Sequence, residues 1–566
     1  MDIDSQPGYQ AWVDSYDTMD EKDGASIRLQ IDGAVENPLF SVIFCPSNID
    51  SDQALLLIQA LQRQIYPWWE VWLPCQPPPQ LPGDARIRVL AGAHSEDGWL
   101  SAALGASGGR LILPLMADAV PREHAFFELA AALKESPAAL IFFADEDQIT
   151  NDGTRCRPHF KTAWDPDLML GRDEIGVFAA YDPDILRSVA RRFNGSRADL
   201  ALRATAATVS TRIRHIAAIL CHRKATTAVQ GASEALLYRE AVTRHLRSIG
   251  DGSDVVPSPL APQFYRIVRP VPSPAPLVSI IIPTKNHADL LARSASAVLS
   301  RTDYPNVELL IVDNGSSEPD SLALLEDLSR DPRVRILSEP GSFNYSAMNN
   351  KAARAARGSV LVLLNNDTDV LDVGWLREMV SHAVREDVGI VGAKLFYEDG
   401  HVQHAGVVFD RQMEVIHQLR LSEGEDPGPG QVLALTRTVS AVTGACQCMR
   451  KSVFFEIGQL DDQHLSVQFN DIDLCLRAAD HGYRVVFTPF ARLTHFECAS
   501  RGPDHASGLL RENYFKERRW FESMWGTLLA NDPFHNPNIS YGWNETRMAC
   551  PPARMHSWLK QDSTRG

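Results

Sequence analysis

The chain has 566 residues, 45% hydrophobic and 22% charged, with a formal net charge of −16. That length exceeds one ordinary core, so two or more domains are expected. The acid excess excludes a general nucleic-acid binder, which needs a clustered basic surface, but it leaves room for a local nucleotide site. Nine scattered cysteines with one close pair, Cys446 and Cys448, argue against zinc and fit free thiols in a reducing compartment. The polar, acidic start MDIDSQPGYQ is no secretory signal, and the longest apolar runs, LVSIII and SVLVLL, are strand-length. A cytoplasmic protein is expected.

In chain order, residues 1–37 read as an N-terminal extension. PLFSVIFCPSN begins at Pro38 and returns as PLVSIIIPTKN at Pro276, an offset of 238 residues. The same register carries Leu61 to Leu299, Arg63 to Arg301, Tyr66-Pro67 to Tyr304-Pro305 and Glu70 to Glu308. Two copies of one fold are predicted, residues 38–267 and 277–530, joined by a proline-rich linker, 268–276, and followed by a tail, 531–566. In the second copy VSIII, VELLIV, RVRIL, SVLVLL and VGIVGAKL read as buried strands, alternating with helical stretches around residues 288–301, 320–330 and 345–357. That alternation predicts an α/β, Rossmann-like, mostly parallel sheet with helices on both faces and a ligand beyond the carboxyl ends of the strands.

The polar motifs fall at those ends. In NNDTDV, Asp367 and Asp369 follow a fully apolar strand, where two carboxylates suit a hard divalent cation that holds a diphosphate. Asp313 ends VELLIVD and suits a base or ribose edge, with Gly315 allowing the turn; an Asx-turn is the plain alternative. FNDIDLCLRA reads as a helix start with Asp471 and Asp473 two apart, one more acid than capping needs, so one suits a general base. His495 follows the strand VVFTP, where a neutral imidazole suits a metal shell; a structural histidine is the plain alternative. Lys351, Arg354 and Arg357 read as a solvated helix face before they read as diphosphate ligands. The stretch Leu510–Ala530 is helical, aromatic and basic, which allows a peripheral contact with the inner membrane. Glu512, Glu517 and Glu522 interrupt its basic face and favour packing on the core.

The first copy has lost this chemistry. The register of the repeat places Cys75 at the position of Asp313. Anchoring Gly109 on Gly358 sets Asp118 opposite Asp367 but Val120 opposite Asp369. Matching DLALR to DLCLR sets Arg197 where Asp471 stands, and an arginine cannot serve as base. The acids Asp145–Asp147 after ALIFFA read as a solvated strand end in preference to a metal site.

Taken together, IIPTKN, VDNGS, FNYSAMNNKAARAARG, LLNNDTDV, VTGAC, NDIDLCLRAADHGYRVVFTP and HFECASRG resemble the inverting family-2 glycosyltransferases with the A-type fold. The first half is similar to the N-terminal module of two-domain bacterial relatives of the rhamnosyl and galactosyl type that build surface polysaccharide. The resemblance implies two tandem A-type domains, the first degenerate, and a nucleoside-diphosphate sugar donor with a glycan or lipid-linked glycan acceptor. It further implies Mn2+ or Mg2+ as cofactor. Pro283, Thr284 and Asp313 would hold the nucleoside, and Asp367, Asp369 and His495 the metal and diphosphate. Asp471 would be the base, with Gly444 and Ala445 bordering the acceptor. One departure is Asn470, a neutral residue where the family's acid precedes the base. Competing readings are a dehydrogenase, for which PTKNHADL lacks the glycines, and a nucleotidyltransferase, whose glycine-rich basic loop is missing. A third is a non-catalytic glycan-binding or assembly protein with both copies inert, against which the acids of the second copy count.

Overall fold

The computed structural model describes residues 6–45, 51–74, 83–90, 96–116, 118–150, 152–190, 196–225, 228–410, 414–497, 508–541 and 546–559. Cys75 and residues 498–507 fall outside them.

The first body holds β1 (Phe40–Phe44), β2 (Trp69–Leu73), β3 (Ile87–Val89), β4 (Leu111–Leu115), β5 (Ala119–Pro121), β6 (Ile141–Ile149), β7 (Arg155–His159), β8 (Ala179–Tyr181) and β9 (Ile213–Lys224). A hairpin, β10 (Asp254–Pro257) with β11 (Tyr265–Val268), leads to the linker. The second body begins with β12 (Val278–Thr284), β13 (Val307–Asp313), β14 (Val334–Ser338), β15 (Val360–Leu364), β16 (Thr368–Val370), β17 (Val388–Phe396) and β18 (Val402–His404). It continues through a hairpin, β19 (Val407–Phe409) with β20 (Val415–His417), to β21 (Arg437–Thr438), β22 (Cys446–Arg450) and β23 (Arg484–His495). The tail adds the pair β24 (Ile539–Tyr541) and β25 (Thr546–Met548).

Among the described residues the two large sheets have one topology. The first runs β3-β2-β1-β4-β8-β6-β9-β5 and the second β14-β13-β12-β15-β22-β17-β23-β16. β7 attaches to β6 as β18 does to β17. Each sheet is parallel through its first four strands and mixed beyond, because β8 and β22 run antiparallel to both neighbours. The central strands are apolar and buried on both faces, as helices on either side require.

A buried polar network repeats with the strands. Ser41 Oγ donates to Glu70 Oε1 at 2.7 Å and accepts from Gly109 N at 2.8 Å; Ser279 Oγ donates to Glu308 Oε1 at 2.5 Å and accepts from Gly358 N at 2.8 Å. These pairs satisfy groups that would otherwise be orphaned between strand and loop. Gly358 is required by the approach, since a Cβ there would stand 2.6 Å from Leu277 O and Ser279 Oγ. Gly358→Ala should therefore destabilise the second body by about 1–3 kcal/mol in urea unfolding, and an unchanged midpoint would show that the loop yields freely.

The extension and tail close on the first body. Tyr9 donates its hydroxyl to Asp147 at 2.6 Å, Trp12 Nε1 donates to Ala549 O at 2.9 Å, and Gln30 Nε2 donates to Trp558 O at 2.9 Å. Asp145 accepts from Lys161 N at 2.8 Å, from Asn536 Nδ2 at 3.0 Å, and pairs with His215 Nε2 at 2.7 Å. Asp147 also accepts from Arg155 Nε at 2.6 Å and faces His222 Nδ1 at 2.5 Å. The expectation of a solvated strand end is thus corrected. Asp145 and Asp147 are buried, and their donors come from the protein itself, which also disfavours a metal there.

The bodies meet at Asp165 and Asp167 on the first and β21 and β23 on the second. Asp167, buried, accepts from Arg385 Nη1 and Arg484 Nη1 at 2.7 Å each, and from Arg269 of the linker at 3.1 Å. Asp165 accepts from the amide of Thr438 at 2.6 Å and from its hydroxyl at 2.9 Å, capping the edge strand β21.

Candidate active site

β12 and β13 end in register, with Thr284 opposite Asp313 and Pro283 opposite Val312. Pro283 and Thr284 are buried, and the Thr284 hydroxyl accepts from Asn366 Nδ2 at 3.2 Å. Asp313 is half-buried; its Oδ1 accepts from Ser316 N at 3.0 Å and Ser316 Oγ at 2.5 Å, closing an Asx-turn in which Gly315 takes φ +78°. The Asx-turn reading of Asp313 is thus observed, at the carboxyl end of β13.

Three residues beyond β15, Asp367 faces His495. β16 pairs with β23 so that Thr368 lies opposite His495, and Phe496 N donates to Asp367 O at 2.9 Å. His495 Nε2 stands 3.2 Å from Asp367 Oδ1. Gln403 fixes the ring. Its Nε2 donates to His495 O at 3.2 Å and Glu497 Oε2 at 3.4 Å, which turns its Oε1 toward His495 Nδ1 at 2.8 Å. Nδ1 therefore carries the proton and Nε2 presents a lone pair to Asp367, whose buried Oδ1 receives no hydrogen bond. Two acceptors face each other with no donor between them, and an imidazole–carboxylate set of this kind fits a divalent cation. Asn365 brings its amide nitrogen to 3.4 Å of the same ring nitrogen.

Asp369 does not join them. Its carboxylate is ion-paired with Arg301, which also donates to Val370 O at 3.1 Å. Among the described residues no three His, Cys, Asp or Glu side chains converge as a complete ligand set, so substrate oxygens or water would supply the remaining ligands.

The turn Thr443–Ala445, expected to border the acceptor, links the neighbouring elements. Gly444 N donates to Asp471 Oδ2 at 2.7 Å, Gly444 O accepts from the Tyr345 hydroxyl at 3.1 Å, and Ala445 O accepts from Asn365 N at 3.1 Å. One turn therefore ties Asp471 to the loop that carries Asp367. The approach is close: a Cβ at Gly444 would lie 3.1 Å from that of Asp471 and would press on it. Asp471 opens the helix Asn470–Asp480, and its Oδ1 accepts from Ile472 N at 2.9 Å. Burial raises its carboxyl above the ordinary aspartate range, against the pull of the Gly444 and Ile472 amides. Asp473 is structural: it accepts from Arg477 Nη2 at 2.7 Å and Trp525 Nε1 at 2.9 Å.

The helix Gly508–Leu529 packs against the start of the helix that carries Asp471, as the glutamates suggested. Phe521 stacks on Phe469 at 5.1 Å, and Glu517 accepts from Ser466 Oγ at 2.5 Å. Lys351 donates to Ser338 O at 3.0 Å and Arg354 to Gln459 at 2.7 Å, so both are engaged at the helix surface. The sequence analysis gave no site role to Gln403, Asn365, Asn366, Arg301 or Tyr345. The signal for Asn365 and Asn366 was their place beside Asp367 just beyond an apolar strand; Gln403 and Tyr345 carried none.

The first body holds a filled version of the same place. Lys224 N donates to Asp118 O at 3.1 Å, as Phe496 N does to Asp367 O, which makes Arg223 the counterpart of His495. Arg223 Nε pairs with Asp118 at 2.9 Å. A permanent cation stands where the second body leaves two acceptors facing. Arg197, at the position of Asp471, pairs with Asp173 at 3.4 Å.

Residues 279–458 match the family model "Glycosyl transferase family 2". The uncharacterized protein y4gI of Sinorhizobium fredii is 37% identical over 543 residues, 91% of this chain and 59% of that protein. The O-antigen biosynthesis protein RfbC of Myxococcus xanthus is 35% identical over 517 residues, 87% of this chain and 40% of that protein. The pre-mycofactocin glycosyltransferase of Mycobacterium tuberculosis is 26% identical over 219 residues, 38% of this chain and 42% of that protein. The chain thus spans well under two thirds of the length of these relatives. The match to glycosyl transferase family 2 is thus carried by residues 279–458, which span the second body from β12 through β22.

Proposed function

We propose that the second body is a metal-dependent, inverting glycosyltransferase that moves a sugar from a nucleoside diphosphate to a hydroxyl of a glycan or lipid-linked glycan. The carrying observation is the facing pair Asp367 Oδ1 and His495 Nε2, 3.2 Å apart, at the carboxyl ends of the strands. Asp471 stands on the far side of the Gly444 turn.

In this reading Thr284 and Asp313, with Pro283 behind them, seat the nucleoside. Asp367 and His495 hold Mn2+ or Mg2+, with Asp369 reaching it by exchange from Arg301. The bound cation supplies neutralisation of the diphosphate as it leaves. Asp471 takes the proton of the acceptor hydroxyl, whose oxygen bonds to the anomeric carbon as the bond to the diphosphate breaks; a single in-line displacement inverts that carbon. Gly444 and Ala445 border the acceptor. The first body, with Arg223 and Arg197 in the decisive places, is a non-catalytic support. The name of the Myxococcus xanthus relative favours a surface-polysaccharide acceptor. A nucleotide-sugar donor and the buried thiols favour the cytoplasm, with acceptors met at the membrane face. None of the described helices is long and apolar enough to cross a membrane.

The test is thermal unfolding of wild type and Asp367→Ala with UDP-, GDP- and dTDP-sugars, with and without Mn2+ or Mg2+. At about 100 times Kd a ligand stabilises by about 2.7 kcal/mol, a readily measured shift. Wild type should gain metal-dependent stability with one donor, Asp367→Ala should lose it, and Asp369→Ala should lose less. No metal-dependent gain in the wild type would sink the reading.

A further inference from the structure

Strand β18 sends two adjacent buried side chains to the two sides of the site. Gln403 holds His495 at Nδ1 (2.8 Å) and at its carbonyl (3.2 Å). His404 faces the other way. Its Nε2 accepts from Thr443 N and from Gly406 N, each at 3.3 Å. Its Nδ1 lies 3.0 Å from His417 Nδ1 on β20, the rings edge to face at 5.0 Å. Because Nε2 accepts twice, the His404 proton sits on Nδ1 and is donated to His417, and both rings are neutral. Burial first, then each ring's cationic surroundings, depress the basicity of both, His417 to about 4. Thr443 is the residue before Gly444, whose amide holds Asp471 at 2.7 Å.

We propose that Gln403 and His404 are positioning residues, Gln403 for the metal-side imidazole and His404 for the turn that carries Asp471. The inference rests on the functional reading above. Without Gln403 nothing selects the His495 tautomer, and a proton on Nε2 would face Asp367 in place of a cation. Without His404 the half-buried Thr443 amide loses its acceptor, and the turn is free to rotate Gly444 away from Asp471. The two side chains therefore control different quantities: metal affinity on one side, turnover on the other.

The experiment uses the full-length chain, with Mn2+ binding in the presence of UDP, GDP or dTDP followed by electron paramagnetic resonance. Turnover is followed by release of nucleoside diphosphate from the sugar nucleotide that stabilises the wild type. Gln403→Met, close in volume but without an acceptor, should weaken Mn2+ about 10–100-fold while turnover at saturating Mn2+ stays near wild type. His404→Phe should lower turnover at least about tenfold, by analogy with other partners that orient a reacting group, with Mn2+ affinity unchanged. His404→Gln, whose amide oxygen can still accept from Thr443 N, should recover most of it. Wild-type Mn2+ affinity in Gln403→Met would overturn the proposal. So would equal losses in His404→Phe and His404→Gln, or a joint fall of affinity and turnover in each single variant. If instead Asp367→Ala binds Mn2+ as well as wild type, the site itself is misassigned, and that outcome is distinct from the others.

Discussion

Asp471→Asn should retain metal-dependent donor binding and lose transfer by about 10²–10⁴-fold, the range for removal of a general base. The substitution keeps the shape that Gly444 N and Ile472 N grip but removes the proton acceptor. The pH dependence follows from the raised carboxyl. Only the ionised form accepts a proton, so transfer falls as the pH drops through a value above the ordinary aspartate range of 3.8. An acid limb belonging to Asp471 should therefore be present in wild type and absent from the residual activity of Asp471→Asn. Transfer at the wild-type rate in the variant would remove Asp471 as base, and loss of donor binding would make it a structural residue.

Asp167→Ala should destabilise the chain by up to about 3–5 kcal/mol, because Arg385, Arg484 and Arg269 lose the buried anion they share and keep Asp387 and Asp251 at its margin. Burial would raise the Asp167 carboxyl, but Arg385, Arg484 and Arg269 outweigh it and hold the group well below the ordinary range. Its stabilisation is therefore fully present above pH 3.8 and is lost as the pH falls from there through the depressed value. Urea unfolding followed by tryptophan fluorescence at neutral pH should show the lower stability, and the variant's stability should depend less on pH in the acid range. A change under about 1 kcal/mol would place the contact among surface ion pairs and show that the bodies do not depend on it. If the site depends on its support, the same variant should also lower donor affinity, since Thr438 beside this cluster belongs to β21, the strand that pairs with β23 and so with His495.

Much of the fold was legible in the sequence because a duplication makes its own control. Two segments that keep Ser, Glu and Gly at matching places while their surroundings diverge must share a backbone that needs them. The structure supplies the reason in the Ser41–Glu70–Gly109 and Ser279–Glu308–Gly358 networks. Apolar runs of strand length gave the buried parallel strands, since burial on both faces leaves no alternation to read. The mixed half of each sheet was not legible. Cys446–Arg450 carries no mark of the direction in which it inserts between β15 and β17.

At the site, the sequence alone shows which positions carry acids and where apolar strands end, and so sets Thr284, Asp313 and Asp367 at strand ends, His495 after a further strand and Asp471 at a helix start. It also showed that the first copy had exchanged Asp471's counterpart for Arg197, because charge and protonation are properties of residue type. Only the tertiary structure decided which acids act together. Asp367 and Asp369, two apart in sequence, part company because Arg301 claims the second. Asp367 and His495, 128 positions apart, meet because β16 and β23 pair. Only the structure decided the tautomer of His495, since a side-chain amide from another strand sets it. The DED of the first body reversed its meaning for the same reason: its donors arrive from the two ends of the chain, Tyr9 and Asn536. What an acid does depends on its partner, and partners across a sheet have no fixed spacing in sequence.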